Sequence, residues 1–348
     1  MQPNFKIIDS KTDPRWDRFV HEHPNGTVYH HSLWMEVLQK TFGHEPVHLI
    51  LEDGNQQITG ILPLMITRGL FGEKKLECLP LTTYCHNLMP ETFYPEMIDW
   101  LQTELGPFKG MHFKCMYPVQ NERIPWSTES HYVNHIIELS GSADFWYKEV
   151  INRNIRRRIK TAEVNRLTFR EADSLQDLAG FYDLLLKRRR NLGLPPMPFS
   201  FFKNMWDILR PQGMLFIVMV HHGDRLITSD IALKYKDTYH MEYNGADPRT
   251  LDLAGNQKLL WEVIRMAFEN NIRFIDLGRS HTEHDSLIYF KEKWGAKSQP
   301  LYSCHIPASP GRNIRKLSRM YRRLNFMYYC LPKPLREIES RWMYKLLG

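Results

Sequence analysis

Residues 275–296 read IDLGRS, then HTEHDSLIY, then FKEKWGA, and set an acid and several cations where an apolar core is expected. Residues 273–277 are apolar and β-branched and stop at Gly278, the pattern of a short buried strand. Asp276 and Arg279 then sit at a strand's carboxyl end, where open α/β sheets commonly carry their sites. After the polar loop, Asp285 or Ser286 caps a helix whose Leu287, Phe290 and Trp294 share one face and whose terminator is Gly295. Lys291 and Lys293 flank that face, close enough to the loop to share a site with it. Such a grouping suits proton transfer and the stabilisation of developing negative charge. The plainer reading is that Asp276 and Arg279 simply pair with each other.

A second group lies upstream in HMEYN. Strand alternation puts Glu242 on one face with His240 and Asn244, and Met241 with Tyr243 on the other. A carboxylate bracketed by aromatic and apolar neighbours holds its proton more tightly and serves as a base toward an ammonium. Glu242 or Asp276 is preferred for that role, with Asp230 of TSDIAL third. Tyr243 is placed to return a proton to a leaving group, although a buried tyrosine more commonly satisfies a carbonyl. Histidines invite a metal reading, through His281, His284 and Asp285 or through His221 and His222, but neither set has the spacing of a convincing site, and no metal is expected.

The elements that must position these groups repeat. Residues 47–51, the turn EDGNQQ and residues 58–66 form strand, tight turn, strand; residues 215–220, the turn HHGD and residues 225–235 do the same. A helical candidate precedes each unit, at 32–42 with Leu33, Val37 and Leu38, and at 200–209 with Phe201, Phe202, Met205 and Leu209. Further helices are expected over 96–105, 144–164 and 254–269, the last burying Leu259, Leu260, Val263, Ile264 and Ala267. Strands are expected over 110–116 and 238–244, and a loop over 245–252. Duplication is the economical explanation.

At 348 residues and 43% hydrophobic content the chain is ample for real cores and is not a disordered one. The N-terminal segment lacks the basic start and apolar stretch of a signal peptide and no window spans a bilayer, so the expected location is the cytoplasm. The five cysteines are scattered and never in C-x-x-C spacing, which favours neither a disulfide framework nor a zinc knuckle. Residues 308–348 hold ten Lys or Arg against two Glu, a net of +8 that leaves the other 307 residues at −1 of the chain's +7. There Ile314, Leu317, Tyr321, Leu324 and Tyr328 fall on one helical face and Arg312, Arg315, Arg319, Arg322 and Arg323 on the other, with Trp342, Tyr344 and Leu346 beyond them. A cationic amphipathic tail over 312–346 suits an anionic membrane at the inner face of the plasma membrane, docking on the first module, or RNA.

The D-x-G-R-S strand end and the F-K-x-x-W-G-A helix, seen here at 276–280 and 290–296, resemble the FemAB-like branch of the GNAT acyltransferases, also described as BioF2-like acetyltransferases. More diffuse matches run from Thr27 to Ile306. The resemblance implies an α/β fold of two tandem GNAT-like modules, each a mixed, mostly antiparallel sheet flanked by helices, over 1–143 and 144–307, the first one degenerate, with the basic tail over 308–348. It implies amide formation on an amino group of a cell-envelope precursor or polysaccharide, from acetyl-CoA, another acyl-CoA or an aminoacyl-tRNA. In such modules the strand at 238–244 splays from the one ending at Gly278, and the next helix points its N-terminus, here Ala254, Gly255, Asn256 and Gln257, at phosphate. The usual coenzyme A loop has more glycine than RTLDLAGN offers, and Arg249 is displaced from its place in it. Lys291 matches the family's helix lysine and, with Arg279, would face the leaving group. The helix with Arg153, Arg156, Arg157, Arg158 and Lys160 matches a basic family segment and suits a polyanion such as tRNA. The rival reading is a non-catalytic scaffold of surface-polysaccharide assembly.

Overall fold

The structure, a computed structural model, describes residues 3–68, 72–118, 123–124, 127–307, 328 and 331–347. They fall into two units, one within Met1–Tyr132, Pro300–Asn313 and Ile338–Gly348 and the other within Val133–Gln299 and Ile314–Glu337. The division passes inside β6 (Ser127–Glu138) and inside β12 (Lys297–Ile306), two strands with little apolar periodicity that the sequence pattern does not announce.

The first unit runs β1 (Asn4–Ile8), α1 (Arg15–Glu22), α2 (Ser32–Phe42), β2 (Glu45–Glu52), β3 (Ile58–Arg68), β4 (Lys74–Glu77), α3 (Tyr94–Leu105) and β5 (Met111–Cys115). Its strand order is β1-β2-β3-β4-β5-β12. Neighbours are antiparallel except β4 and β5, which run parallel through only two pairs, Leu76 with Met111 and Glu77 with His112. Beyond Glu77 the chain turns back, and Cys85 donates its N–H to the Lys114 carbonyl at 2.8 Å, so the gap where β4 leaves β5 is filled by the protein itself.

The second unit contains α4 (Arg153–Val164), β7 (Thr168–Glu171), α5 (Leu175–Asn191), α6 (Phe199–Leu209), β8 (Leu215–His222), β9 (Arg225–Tyr235), β10 (Thr238–Ala246), α7 (Gly255–Glu269), β11 (Phe274–His281) and α8 (Asp285–Glu292). A last helix, α9 (Lys333–Leu347), closes the chain. The strand order β7-β8-β9-β10-β11-β6 repeats that of the first unit, again with a parallel neighbour pair, β10 and β11. The buried face of α7 is the expected one: Leu259, Leu260, Val263, Ile264 and Ala267 join Val218, Val220, Ile227 and Ala232 of the sheet in one apolar cluster.

Several local expectations are corrected. The helix expected over 144–164 is broken: Trp146–Val150 forms a π-type turn, Ile151 is extended, and α4 restarts where the Asn152 side chain accepts the Asn154 N–H at 2.9 Å. The strand expected to stop at Gly278 continues to His281, because Gly278 takes a left-handed φ of 70° that bends β11 without ending it. The loop expected from 245 is strand to Ala246, then a 3₁₀ turn over Pro248–Leu253. In the tail, the faces proposed around Ile314 and Arg312 lie outside the described residues. Tyr328 and Tyr344 are buried, Trp342 is exposed and Arg341 donates to the Thr41 carbonyl at 3.0 Å. No described helix is long and apolar enough to cross a membrane.

In the second unit α5 lies very close to β10. A Cβ on Gly245 would lie 2.7 Å from the backbone nitrogen of Leu185 and 2.9 Å from Cβ of Leu184, so α5 rests directly on the β10 backbone. Gly245→Ala must push a helix backbone away and is expected to cost about 2–3 kcal/mol, read as a lower urea midpoint with an unchanged slope.

Candidate active site

The parallel ladder between β10 and β11 has three pairs and ends at His240 with Asp276. From there β10 continues for six residues and β11 for five without pairing to each other. Two local features separate them. Gly278 turns β11, and a β-bulge in β10 falls between Met241 and Tyr243.

That bulge corrects the expected facing. His240 pairs with Leu233 and Asn244 with Asp230, residues three apart on β9, so His240 and Asn244 lie on opposite faces of the sheet. Met241 pairs with Ala232 and Tyr243 with Ile231, so these two are likewise split. Glu242 is the extra residue of the bulge and belongs to neither alternation. Tyr243 shares the His240 face, where its ring meets Phe201 and Phe202 of α6 edge-on at 5.9 and 5.2 Å between centroids.

At the end of the ladder Asp276 is almost fully buried. Its Oδ1 accepts from Nδ2 of Asn134 at 3.0 Å and from the Gly278 N–H at 2.8 Å, and its Oδ2 lies 3.4 Å from Nδ1 of His240. Arg279 points its side chain outward. Lys291 is buried, and its ammonium donates to the Gly278 carbonyl at 2.8 Å and the Arg279 carbonyl at 3.3 Å. Burial pulls the Lys291 pKa down to about 8; the charges of Asp276 and Asp230 oppose that and Arg188 adds to it. Lys293 is different, stacking over the Tyr289 ring at 3.8 Å.

Beyond the bulge lies the second group. Asp230 is buried, and burial pushes its carboxyl up to about 7 despite hydrogen bonding from Asn244 and the charge of Arg188, with Glu242 adding to the rise. Its Oδ1 has no partner among the described residues. Arg188, near the end of α5, donates to Oδ1 of Asn244, and burial lowers its own pKa. Asn244 Nδ2 lies 3.5 Å from Oδ1 of Asn256, and Thr228 Oγ lies 2.7 Å from that same oxygen. This ties β9 and β10 to the first turn of α7, where Ala254 is the left-handed N-cap and the N–H groups of Gly255 and Asn256 have no acceptor among the described residues. Gln257 already donates its N–H to the Ala254 carbonyl at 3.1 Å. Arg249 is turned away, its guanidinium held by Asp247 at 2.9 Å.

The structure therefore gathers Asp230, Glu242, Asp276 and Lys291 with the α7 N-terminus around the place where two strands part. It leaves Tyr243 packed on α6 and Arg279 outward. Sequence reasoning missed Arg188, Asn134, Asn244 and His135. Nε2 of His135 has no partner among the described residues, and burial together with Lys291 lowers its pKa to about 4, so it is neutral. The one available signal was polar residues inside otherwise buried strands. The His281 and His284 rings stand 6.0 Å apart, and no group of three or more metal-ligating side chains occurs among the described residues.

A parallel pair that ends early beside a helix N-terminus leaves backbone amides suited to an extended ligand with an anionic end. The family model described as the acetyltransferase (GNAT) domain matches residues 151–286. No curated protein matches the sequence. Similar solved structures include FemX, 12% identical with a TM-score of 0.70 over 86% of this chain and 96% of that one. A tandem GNAT protein from the clavulanic acid biosynthesis pathway is 8% identical, with a TM-score of 0.53 over 89% and 99%. L-PGS from Bacillus licheniformis is 10% identical, with a TM-score of 0.51 over 92% and 99%. Residues 151–286 thus match the acetyltransferase (GNAT) domain model, and the chain shares its fold with FemX and with a tandem GNAT protein.

Proposed function

We propose that this protein moves an acyl or aminoacyl group from an activated donor to an amino group of a cell-envelope precursor or polysaccharide, with Asp230 as the base. The observation that carries the proposal is the buried Asp230, its pKa raised to about 7, beside the parting of β10 and β11. A base works best when its pKa lies near the working pH. The unpaired oxygen of Asp230 accepts the proton of the acceptor ammonium. The free amine attacks the donor carbonyl, a C–N bond forms, the C–S bond of a thioester or C–O bond of an ester breaks, and the surplus proton on nitrogen passes to the departing sulfur or oxygen. Lys291, cationic below about pH 8, supports the negative charge that passes from the carbonyl oxygen to the leaving atom. The free amides of Gly255 and Asn256 hold the donor's phosphate.

The donor is acyl-CoA or an aminoacyl-tRNA. The single glycine of the α7 approach and the occupied Arg249 weigh against a standard coenzyme A loop. The exposed Arg153, Arg157 and Lys160 of α4, with Arg158 donating to the Leu251 carbonyl just ahead of α7, favour a polyanionic carrier.

Melting the full chain with acetyl-CoA and, separately, with charged tRNA tests this: the true donor raises Tm by mass action, and a flat response to both sinks the transferase reading. With the effective donor, kcat/KM should climb about tenfold per pH unit below 7 and fall again above about pH 8 as Lys291 loses its proton, and Asp230→Asn should lower the maximum about 10²–10³-fold and flatten the acid limb. Stability supplies an independent readout. A carboxyl whose folded pKa is raised keeps its proton while the unfolded chain releases it, so stability falls as pH rises from 3.8 to about 7. Asp230→Asn should therefore match the parent near pH 3.5 and exceed it by about 2–4 kcal/mol above pH 7 in denaturant melts.

A further inference from the structure

The first unit holds a cluster that the proposed transfer does not use. Glu77 on β4, His112 on β5 and Ser303 on β12 fall on one face of three adjacent strands, since Glu77 pairs with His112, and His305 and Ser303 pair with His112 and Lys114. Nδ1 of His112 is 2.6 Å from Oε2 of Glu77, and Nε2 of His112 is 2.7 Å from Oγ of Ser303. A carboxylate only accepts, so Nδ1 carries the ring proton and Nε2 is left as the acceptor for the serine hydroxyl. Glu77 and His112 are buried and Ser303 is half-buried, which leaves the base enclosed and the nucleophile within reach.

Two neighbours complete the arrangement. His305 stacks on His112 with ring centroids 4.2 Å apart and planes within 2°, and its Nε2 lies 3.2 Å from the same hydroxyl. That stack fixes the plane of the His112 ring. Lys114 stands directly across from Ser303 on the neighbouring strand, a placement that brings side chains about 5 Å apart at Cβ, and its ammonium lies 3.4 Å from the Thr82 carbonyl. Glu77 also acts on His44, which burial holds neutral with a pKa of about 4.

We infer that Ser303 is a nucleophile, with His112 its base, Glu77 the residue that orients His112 and Lys114 the cation facing the developing oxyanion, acting on small activated acyl esters or thioesters. Oγ of Ser303 forms a bond to the acyl carbon as its proton passes to Nε2 of His112. The ester C–O or thioester C–S bond breaks, and His112 returns the proton to the departing alkoxide or thiolate. A water activated by the same imidazole then attacks the acyl-serine, releasing the carboxylic acid and restoring the hydroxyl.

The test uses the full chain with a fluorophosphonate probe and with p-nitrophenyl acetate, and thermal melts serve as the folding control. One label per chain on the peptide containing Ser303 is expected, together with a nitrophenol burst of one equivalent. Ser303→Ala should abolish both, and His112→Gln should slow the burst at least about 100-fold. Glu77→Gln should slow it about tenfold and displace the apparent pKa of its pH profile, a change that a structural role alone would not produce. The inference is overturned if the folded parent takes no label, if the label maps to another residue, or if it persists in folded Ser303→Ala at the parental rate.

Discussion

Everything at the candidate site depends on how two parallel strands are allowed to part. Buried backbone N–H and C=O groups must find partners, and a ladder abandoned after three pairs leaves them without. Here the deficit on β11 is met by side chains: Asp276 accepts the Gly278 N–H, and Lys291 donates to the carbonyls of Gly278 and Arg279. An acid and a lysine in this interior are therefore structural supports of the gap as well as charges beside it. Their mutual attraction offsets part of the cost of burying each.

The bulge at Glu242 has the complementary effect on β10. By inserting one residue it rotates the remainder of the strand, sending Asn244 to the face of Asp230 and α7 while His240 stays on that of Tyr243 and Phe202. Charged groups from both faces can then address one gap. The close seat of α5 on Gly245 carries Arg188 to Asn244, and the link from Asn244 to Asn256 and on to Thr228 joins two strands and a helix start through neutral amides and a hydroxyl. Neutral connectors hold the frame without cancelling the raised proton affinity of Asp230.

The legibility of each feature in the sequence is set by the kind of interaction that makes it. The helix Ser32–Phe42 and the strand Arg225–Tyr235 match the expected segments residue for residue, because the helix buries an apolar face and stops at Gly43 while the strand is an apolar-rich run buried on both faces. Asp276, Lys291 and the α7 N-terminus stood out because they interrupt apolar patterns or begin one. The bulge left no trace, since a single inserted residue changes neither composition nor hydrophobicity. Asn134 and His135 lie in STESHYVNHIIE, whose polar face reads as loop until neighbouring strands cover it. Arg188 is one of three consecutive arginines suited to a helix C-terminus, and only tertiary packing decides which of them reaches Asn244.

Both units end their parallel ladder on an imidazole paired with a carboxylate, but the partners are exchanged. In the first, the carboxylate is on β4 and the imidazole on β5; in the second, the imidazole is on β10 and the carboxylate on β11. A carboxylate and an imidazole on facing strands can bond in either order, so the last rung before the strands separate is closed in both units by the same kind of contact made from different residues.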